Sequence, residues 1–297
     1  MFAPVIFFAY NRPEHTRRSL ESLKANAEAQ HSVLYIFCDG PKTSATEETK
    51  KRIAEVRQVI REQPWCGQVE IKEQETNKGL AASVIEGVTD IVTRHGRCIV
   101  LEDDLLVSPF FLKYMNDALD AYVAEENVIS IHGYTYPVGE TLPETFFLRG
   151  ADCWGWATWK RGWDLFEPDS SKLYIELKRS KQLRAFNVNN TYDYVKMLKK
   201  HIRGENDSWA IRWHASAFMR NRLTLYPGRS LVTNAGTDGQ GTNVTHDKHF
   251  AVQLSSGPVK VGNIKVEANR EAQRIFEHYF QKKQTTALQR LLMRLKY

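Results

Sequence analysis

Several absences narrow the field before any motif is read. No stretch approaches the roughly 18 consecutive apolar residues that a membrane-spanning helix needs. The first apolar run, Phe2 to Tyr10, has no basic segment ahead of it and stops at Asn11-Arg12-Pro13, so it reads as a strand and not as a secretion signal. Cysteine is scarce. The four residues Cys38, Cys66, Cys98 and Cys153 are widely scattered, form no C-x-x-C pair and mostly lie in or beside apolar runs. They are expected to be buried thiols in a reducing compartment, not a disulfide framework. Charge of one sign is also lacking: 41 Lys+Arg against 35 Asp+Glu leave a net charge of +6 spread along 297 residues. No single element concentrates basic residues beside exposed aromatics, so a nucleic-acid partner is not expected. There is no internal repeat and no low-complexity tract.

What is present is a core. Apolar residues make up 42% of the chain and aromatics 11%, enough for one large domain or two intimate ones. The first third alternates strand and helix patterns. Val5 to Tyr10 is a continuous apolar run, as in a strand buried on both faces, and Pro13 opens a helix carrying Leu20 and Leu23. Val33 to Cys38 is a second strand, followed by a helix with Ile53, Val56 and Ile60 at helical spacing. Val69 to Ile71 is a third strand, and a helix with Leu80, Val84, Val88 and Ile91 follows. Cys98 to Leu101 is a fourth strand and Val128 to Ile131 a fifth. This alternation predicts a mostly parallel sheet sandwiched by helices, with ligands outside the carboxyl ends of its strands. Asn11-Arg12, Asp39-Gly40, Asn77-Lys78 and Glu102-Asp103-Asp104 are therefore placed along one edge.

Six of the seven tryptophans fall between Trp154 and Trp213, where core packing is the simpler role. Helical stretches at about 192–202 and 209–221 flank a polar loop, Gly204 to Asp207. The Gly-rich segment from Gly228 to Asn243 has few apolar anchors and is expected to be mobile or ordered by a ligand. From Val266 to Tyr297 the pattern is helical. No acid follows Glu277, while Lys282, Lys283, Arg290, Arg294 and Lys296 accumulate and Leu288, Leu291, Leu292 and Leu295 share one face. Such a helix either caps the domain or lies on an anionic membrane through residues 282–297.

Chemistry concentrates at the strand ends. Three adjacent carboxylates at the end of a buried strand repel one another and need hydration, capping or a metal. Oxygen ligands suit Mn²⁺ or Mg²⁺, which keep several waters and bridge to substrate phosphates. The plainer role for the triplet is an acidic cap on the helix starting near Pro109. Asp39 would accept from a base imide or ribose hydroxyls, or simply close an Asx-turn. Arg12 would face a pyrophosphate or base, with Asn77 and Lys78 alongside. Asp207 is placed as a catalytic base, with Glu205 as its substitute, although Asp207 or Ser208 would equally cap the helix at Trp209. His246 is a candidate further metal ligand arriving from the Gly-rich segment.

Taken together, Val100 to Phe111, with Glu102-Asp103-Asp104 at its centre, resembles the strand, acidic metal motif and following helix of nucleotide-sugar glycosyltransferases of the GT-A fold. The likeness is to N-acetylglucosaminyltransferase I and its bacterial relatives. Ala9 to Arg12 and Cys38-Asp39-Gly40 are similar to that family's donor-pocket signatures. Gly155-Trp156, with Trp163 beyond, resembles its acceptor-side helix, and Pro227-Gly228-Arg229 through Gly239-Gln240 its donor-covering loop. The resemblance implies an α/β fold of GT-A type, Rossmann-like, with residues 1–108 binding a nucleotide-sugar. Residues 109–250 would form the acceptor-binding, catalytic half with a mobile loop at 228–243, and residues 251–297 a C-terminal helical extension.

By the same resemblance, Asp104 would ligate Mn²⁺, Glu102 and Asp103 would contact the ribose or nucleotide, Asp39 would read uracil, and Arg12 and Trp156 would line the donor site. The activity implied is inverting transfer from a UDP-sugar, UDP-N-acetylglucosamine being the donor suggested, to a glycan or glycolipid. The family's base is the second acid of an Asp-Asp-Trp run, whereas here the run reads Asp207-Ser208-Trp209. The eukaryotic members' membrane anchor and stem find no counterpart, which points to a cytoplasmic bacterial enzyme of polysaccharide or glycolipid synthesis. Two other readings fit less well. A nucleotidyltransferase would carry a Gly-rich phosphate loop after the first strand, which Tyr10-Asn11-Arg12-Pro13 lacks. A non-catalytic carbohydrate- or nucleotide-binding protein would retain the fold, and the serine at position 208 is its one support.

Overall fold

A computed structural model describes residues 2–236 and 250–294, with side chains through residue 283. Its centre is an eight-stranded sheet in the order β3-β2-β1-β4-β8-β6-β9-β7. The first four strands are β1 (Val5–Ala9), β2 (Val33–Cys38), β3 (Gln68–Glu73) and β4 (Arg97–Glu102). They run parallel, each reached through a helix: α1 (Pro13–Lys24), α2 (Glu47–Val59) and α3 (Leu80–His95). These elements match the alternation in the sequence.

The other strands are β6 (Val128–His132), β7 (Thr145–Arg149), β8 (Trp156–Trp159) and β9 (Leu223–Pro227). β8 runs antiparallel between β4 and β6, so one sheet continues through both of the expected halves. A short ribbon, β5 (Leu105–Val107) against β10 (Val232–Asn234), stands apart from the main sheet. It ties the residues just after the acidic triplet to the start of the Gly-rich segment.

Strand alternation divides the core into two layers. One face of the sheet, through Val5, Phe7, Ile36 and Leu101, packs against α1, α2 and α4 (Phe111–Ala121). The opposite face, through Ile6, Phe8, Phe37 and Val100, meets α3 and the tryptophans of α5 (Lys160–Trp163) and α9 (Trp209–Met219). Trp156 belongs to this second layer. It is a strand residue, fully buried, with its ring 5.5–5.8 Å from those of Trp163, Trp209 and Trp213. This corrects the sequence expectation that placed Trp156 on an acceptor-side helix lining the donor site: a residue enclosed by three other indoles has no face to offer a ligand.

A third cluster joins α9 to α6 (Ser170–Arg179), α7 (Leu183–Phe186) and α8 (Tyr194–Ile202). The C-terminal helix α10 (Arg270–Arg294) begins four residues later than the sequence pattern implied, and its first turns dock Ile275, Phe276 and Phe280 on Phe146 and Tyr226. The leucines and basic residues proposed for membrane contact lie mostly beyond the described side chains. No helix among the described residues is long and apolar enough to cross a membrane.

Trp213 joins the sheet to the α9 layer. Trp213→Ala should therefore cost about 3–5 kcal/mol, read as a lower midpoint in urea unfolding. A loss under about 1 kcal/mol would mean that the indole cluster is not the joint.

Candidate functional site

Register brings the polar strand ends together. Phe8 pairs with both Phe37 and Glu102, and Ala9 pairs with Cys38, so β2, β1 and β4 finish level. Asp39, Arg12 and the acidic triplet leave the sheet in one row, with neighbouring strands about 4.8 Å apart. Arg12 Nη1 donates to Asp104 Oδ2 at 3.0 Å. The Tyr10 amide donates to Asp103 Oδ2 at 3.3 Å, and the Ser19 hydroxyl to the Asp103 carbonyl at 2.8 Å. The backbone of Asp104 accepts from the Ala235 amide at 2.7 Å. The triplet does not cap the following helix, because β5 intervenes.

Burial raises the pKa of all three carboxyls. The charges of Asp103 and Asp104 raise Glu102 further, and that of Asp104 raises Asp103, while the Arg12 guanidinium pulls all three back. One guanidinium facing three half-buried carboxyl groups leaves their ionised forms under-compensated, a strain that an oxygen-seeking cation would relieve. Among the described residues no three His, Cys, Asp or Glu side chains converge into a complete metal set. A divalent cation at the triplet would therefore have to draw most of its coordination from water and from a ligand's phosphates. His246, the other expected ligand, lies outside the described residues, as does the Gly-rich segment after Gly236.

Asp39 is buried, and donors surround its carboxylate. Oδ1 accepts from the amides of Gly40 and Lys78, both at 2.9 Å; Oδ2 accepts from Asn77 Nδ2 at 2.8 Å and the Gly79 amide at 2.9 Å. A carboxylate offers about four lone-pair sites, so these donors occupy them all. Asp39 therefore holds the Asn77-Lys78-Gly79 turn in place, closer to the turn-closing role the sequence allowed than to contact with a base or ribose. Lys78 Nζ reaches Glu86 at 2.5 Å.

The two candidate bases stand elsewhere. Asp207 is 72% exposed and pairs with Arg212 at 3.3 Å, with His201 Nε2 at 3.7 Å. Ser208, not Asp207, caps α9 by accepting from the Ile211 amide. Glu205 is exposed and held by Arg203.

Sequence reasoning missed a second set of groups. A cavity of about 290 Å³ is walled by the chain after β6, the Ala151–Trp154 loop, Tyr192 and Tyr194, and the inner face of α9 through His214. Ala210 and Ile211, just past Asp207, line it. Its wall lies within electrostatic reach of the acidic triplet, since burial first and then the charges of Glu102, Asp152 and Asp104 push the Cys153 thiol well up. Asp152 Oδ2 accepts from the Tyr226 hydroxyl at 2.9 Å. Gly150, at φ +102°, is required here, because a Cβ would come within 2.5 Å of the His214 ring. Val188, Asn189 and Asn190 all adopt left-handed backbone, at φ 49°, 54° and 66°. Such conformations cost about 1–3 kcal/mol each, and this strained turn leads directly to Tyr192 on the cavity wall. Gly150 was a visible signal in the sequence; the aromatic walls, drawn from distant segments, were not.

No family model matches the chain, and no curated protein matches it. Among solved structures, similarity extends to S. aureus TarS residues 1–349, at TM-score 0.40 and 14% identity, over 78% of this chain and 60% of that one. The crystal structure of S. aureus TarS aligns at TM-score 0.31 and 17% identity over 51% of this chain, which spans only 25% of that one. UDP-glucose pyrophosphorylase complexed with UDP-glucose aligns at TM-score 0.32 and 12% identity, over 58% of this chain and 82% of that one.

Removing Asp39 strands the donors it holds. Asp39→Ala should destabilise the protein by on the order of 3 kcal/mol, with Asp39→Asn between it and the wild type. Guanidinium unfolding measures this, and equal stability of all three proteins would refute the organising role.

Proposed function

We propose that this chain is a glycosyltransferase that moves a sugar from a nucleotide-diphosphate sugar to a hydroxyl of a glycan or glycolipid. The observation that carries this reading is the level row of strand ends, in which Arg12 is bonded to Asp104 within a half-buried group of three carboxyls. Arg12 would face the diphosphate. The Asn77–Gly79 turn, set by Asp39, would border the nucleoside. Asp104 would hold Mn²⁺ or Mg²⁺, with Glu102 and Asp103 turned toward ribose or nucleotide. When bound, the cation supplies Lewis-acid neutralisation of the diphosphate leaving group.

Asp207 would serve as base at the rim of the cavity, positioned by its ion pair with Arg212. The acceptor oxygen attacks the anomeric carbon as the bond to diphosphate breaks, with inversion, and its proton passes to Asp207. Glu205, tied to Arg203 in solvent, is the weaker choice. The segment after Pro227 starts from a fixed point: Ala235 bonds the Asp104 backbone, and a Cβ at Gly236 would come within 2.5 Å of Asp104 Oδ2. Of the covering loop assigned to residues 228–243, the part through Gly236 is thus anchored beside Asp104 and not mobile, and the rest lies outside the described residues.

In a transfer assay with Mn²⁺ and a UDP-sugar panel, Asp104→Ala should lower turnover by about 10³-fold, equivalent to about 4 kcal/mol, with an unchanged melting temperature. Normal turnover by the folded variant would sink the assignment. Asp207→Asn should lower kcat by about 10²–10⁴-fold while leaving UDP affinity as it was. If Glu205→Gln is the inactive variant, the base belongs to that residue.

A further inference from the structure

The polar groups of the aromatic cavity form a set that the proposed donor chemistry does not use. The Trp154 amide donates to His132 Nε2 at 3.2 Å, so this nitrogen is unprotonated in the neutral ring. Burial pushes His132 down to about 4, and the neutral ring then carries its proton on Nδ1. That buried Nδ1 has no aligned hydrogen-bond partner, only the Tyr134 backbone nearby. Its proton has only this poorly aligned backbone acceptor and can turn to a better one.

His214 holds the same tautomer, but its Nδ1 proton is engaged. Its Nδ1 lies 3.1 Å from the Ala151 carbonyl, which can only accept, so the proton is on Nδ1 and Nε2 is left as an acceptor. Asp152 Oδ1 lies 3.7 Å from the same Nδ1, too far for a good hydrogen bond, and keeps lone pairs to offer. The walls around these groups are aromatic. Trp154 meets Tyr134 edge to face at 4.8 Å, and Tyr194 stacks on His214 at 4.3 Å.

One donor, two acceptors and flat apolar walls complement a molecule with a ring of C–H faces and a rim of hydroxyls. Ligand pockets usually enclose about 300–1,000 Å³, and this cavity, at about 290 Å³, falls just below that range, with room for one ring. We propose that the cavity binds a single pyranose, with Asp152, His132 and His214 reading its hydroxyls and the tyrosine and tryptophan rings covering its faces. The inference rests on the transferase reading only for the source of the sugar, which is either the ring carried by the nucleotide or that of the acceptor.

The test uses the full chain and two measurements. Calorimetry compares UDP with UDP-glucose, UDP-galactose and UDP-N-acetylglucosamine in Mn²⁺. Saturation-transfer NMR follows the matching free monosaccharides, with and without UDP. The wild type should bind one UDP-sugar at least tenfold more tightly than UDP, or show saturation transfer to one monosaccharide. Asp152→Asn should abolish that preference and leave UDP affinity unchanged. Loss of the UDP-sugar advantage assigns the ring to the donor; loss of the monosaccharide signal with donor affinity intact assigns it to the acceptor. Ala210→Trp, which fills the cavity from its α9 wall, should reproduce the effect and carries the test if Asp152→Asn melts early. Sugar binding without UDP binding would uphold the cavity and refute the transferase reading. A wild type that binds no sugar in either form, or variants that bind sugars as well as it does, would overturn the proposal.

Discussion

Crowding of negative charge at the end of β4 is the constraint around which this molecule is organised. Glu102, Asp103 and Asp104 occupy consecutive positions at a strand end where burial disfavours their ionised forms. Two neighbours compensate in part, Arg12 from β1's exit loop and the Tyr10 amide, while the Ser19 hydroxyl of α1 holds the Asp103 backbone. The β5–β10 ribbon leaves the same point and fixes the chain that returns over it. Local stability and the capacity to attract a cation thus come from one electrostatic imbalance, incompletely cancelled.

Asp39 is a contrasting use of the same residue type two strands over. Its charge is spread over the Gly40 amide and the donors of the Asn77–Gly79 turn, so it is spent on shape. Carboxylates two strands apart on one sheet edge have separate duties, one group fixing a turn and the other left under-compensated. What separates them is the supply of backbone N–H groups: plentiful where Gly40 and Gly79 let the chain fold close, thin around the triplet.

The parallel half of the sheet was legible because its strands are unbroken apolar runs separated by helices of clear period, and strand-end logic then placed Arg12, Asp39 and the triplet together. The antiparallel half was not. β5 and β10 are three residues long, and β8 is built from Trp156 to Trp159, which reads as readily as a helix face. The misplacement of Trp156 follows from that ambiguity. Asp152, His132 and His214 escaped notice for another reason: each is a lone polar residue in its own segment, and only the crossing of β6, the loop before β8 and α9 makes them neighbours. The serine at position 208 looked like a defect in a catalytic run, yet its hydroxyl does ordinary capping work and leaves the adjacent aspartate unencumbered by that role.

The four cysteines carry a practical consequence. All are free thiols, three of them buried and Cys153 half-buried. Burial raises each above its ordinary range, Cys38 to about 11 and Cys66 to about 12, with Cys98 and Cys153 also well up. Since the thiolate is the reacting species, the native set is nearly silent toward maleimides and iodoacetamides at neutral pH. A single cysteine introduced at an exposed position such as Val123 or Ile175 would react alone, giving a site-specific spectroscopic label on an otherwise unaltered chain.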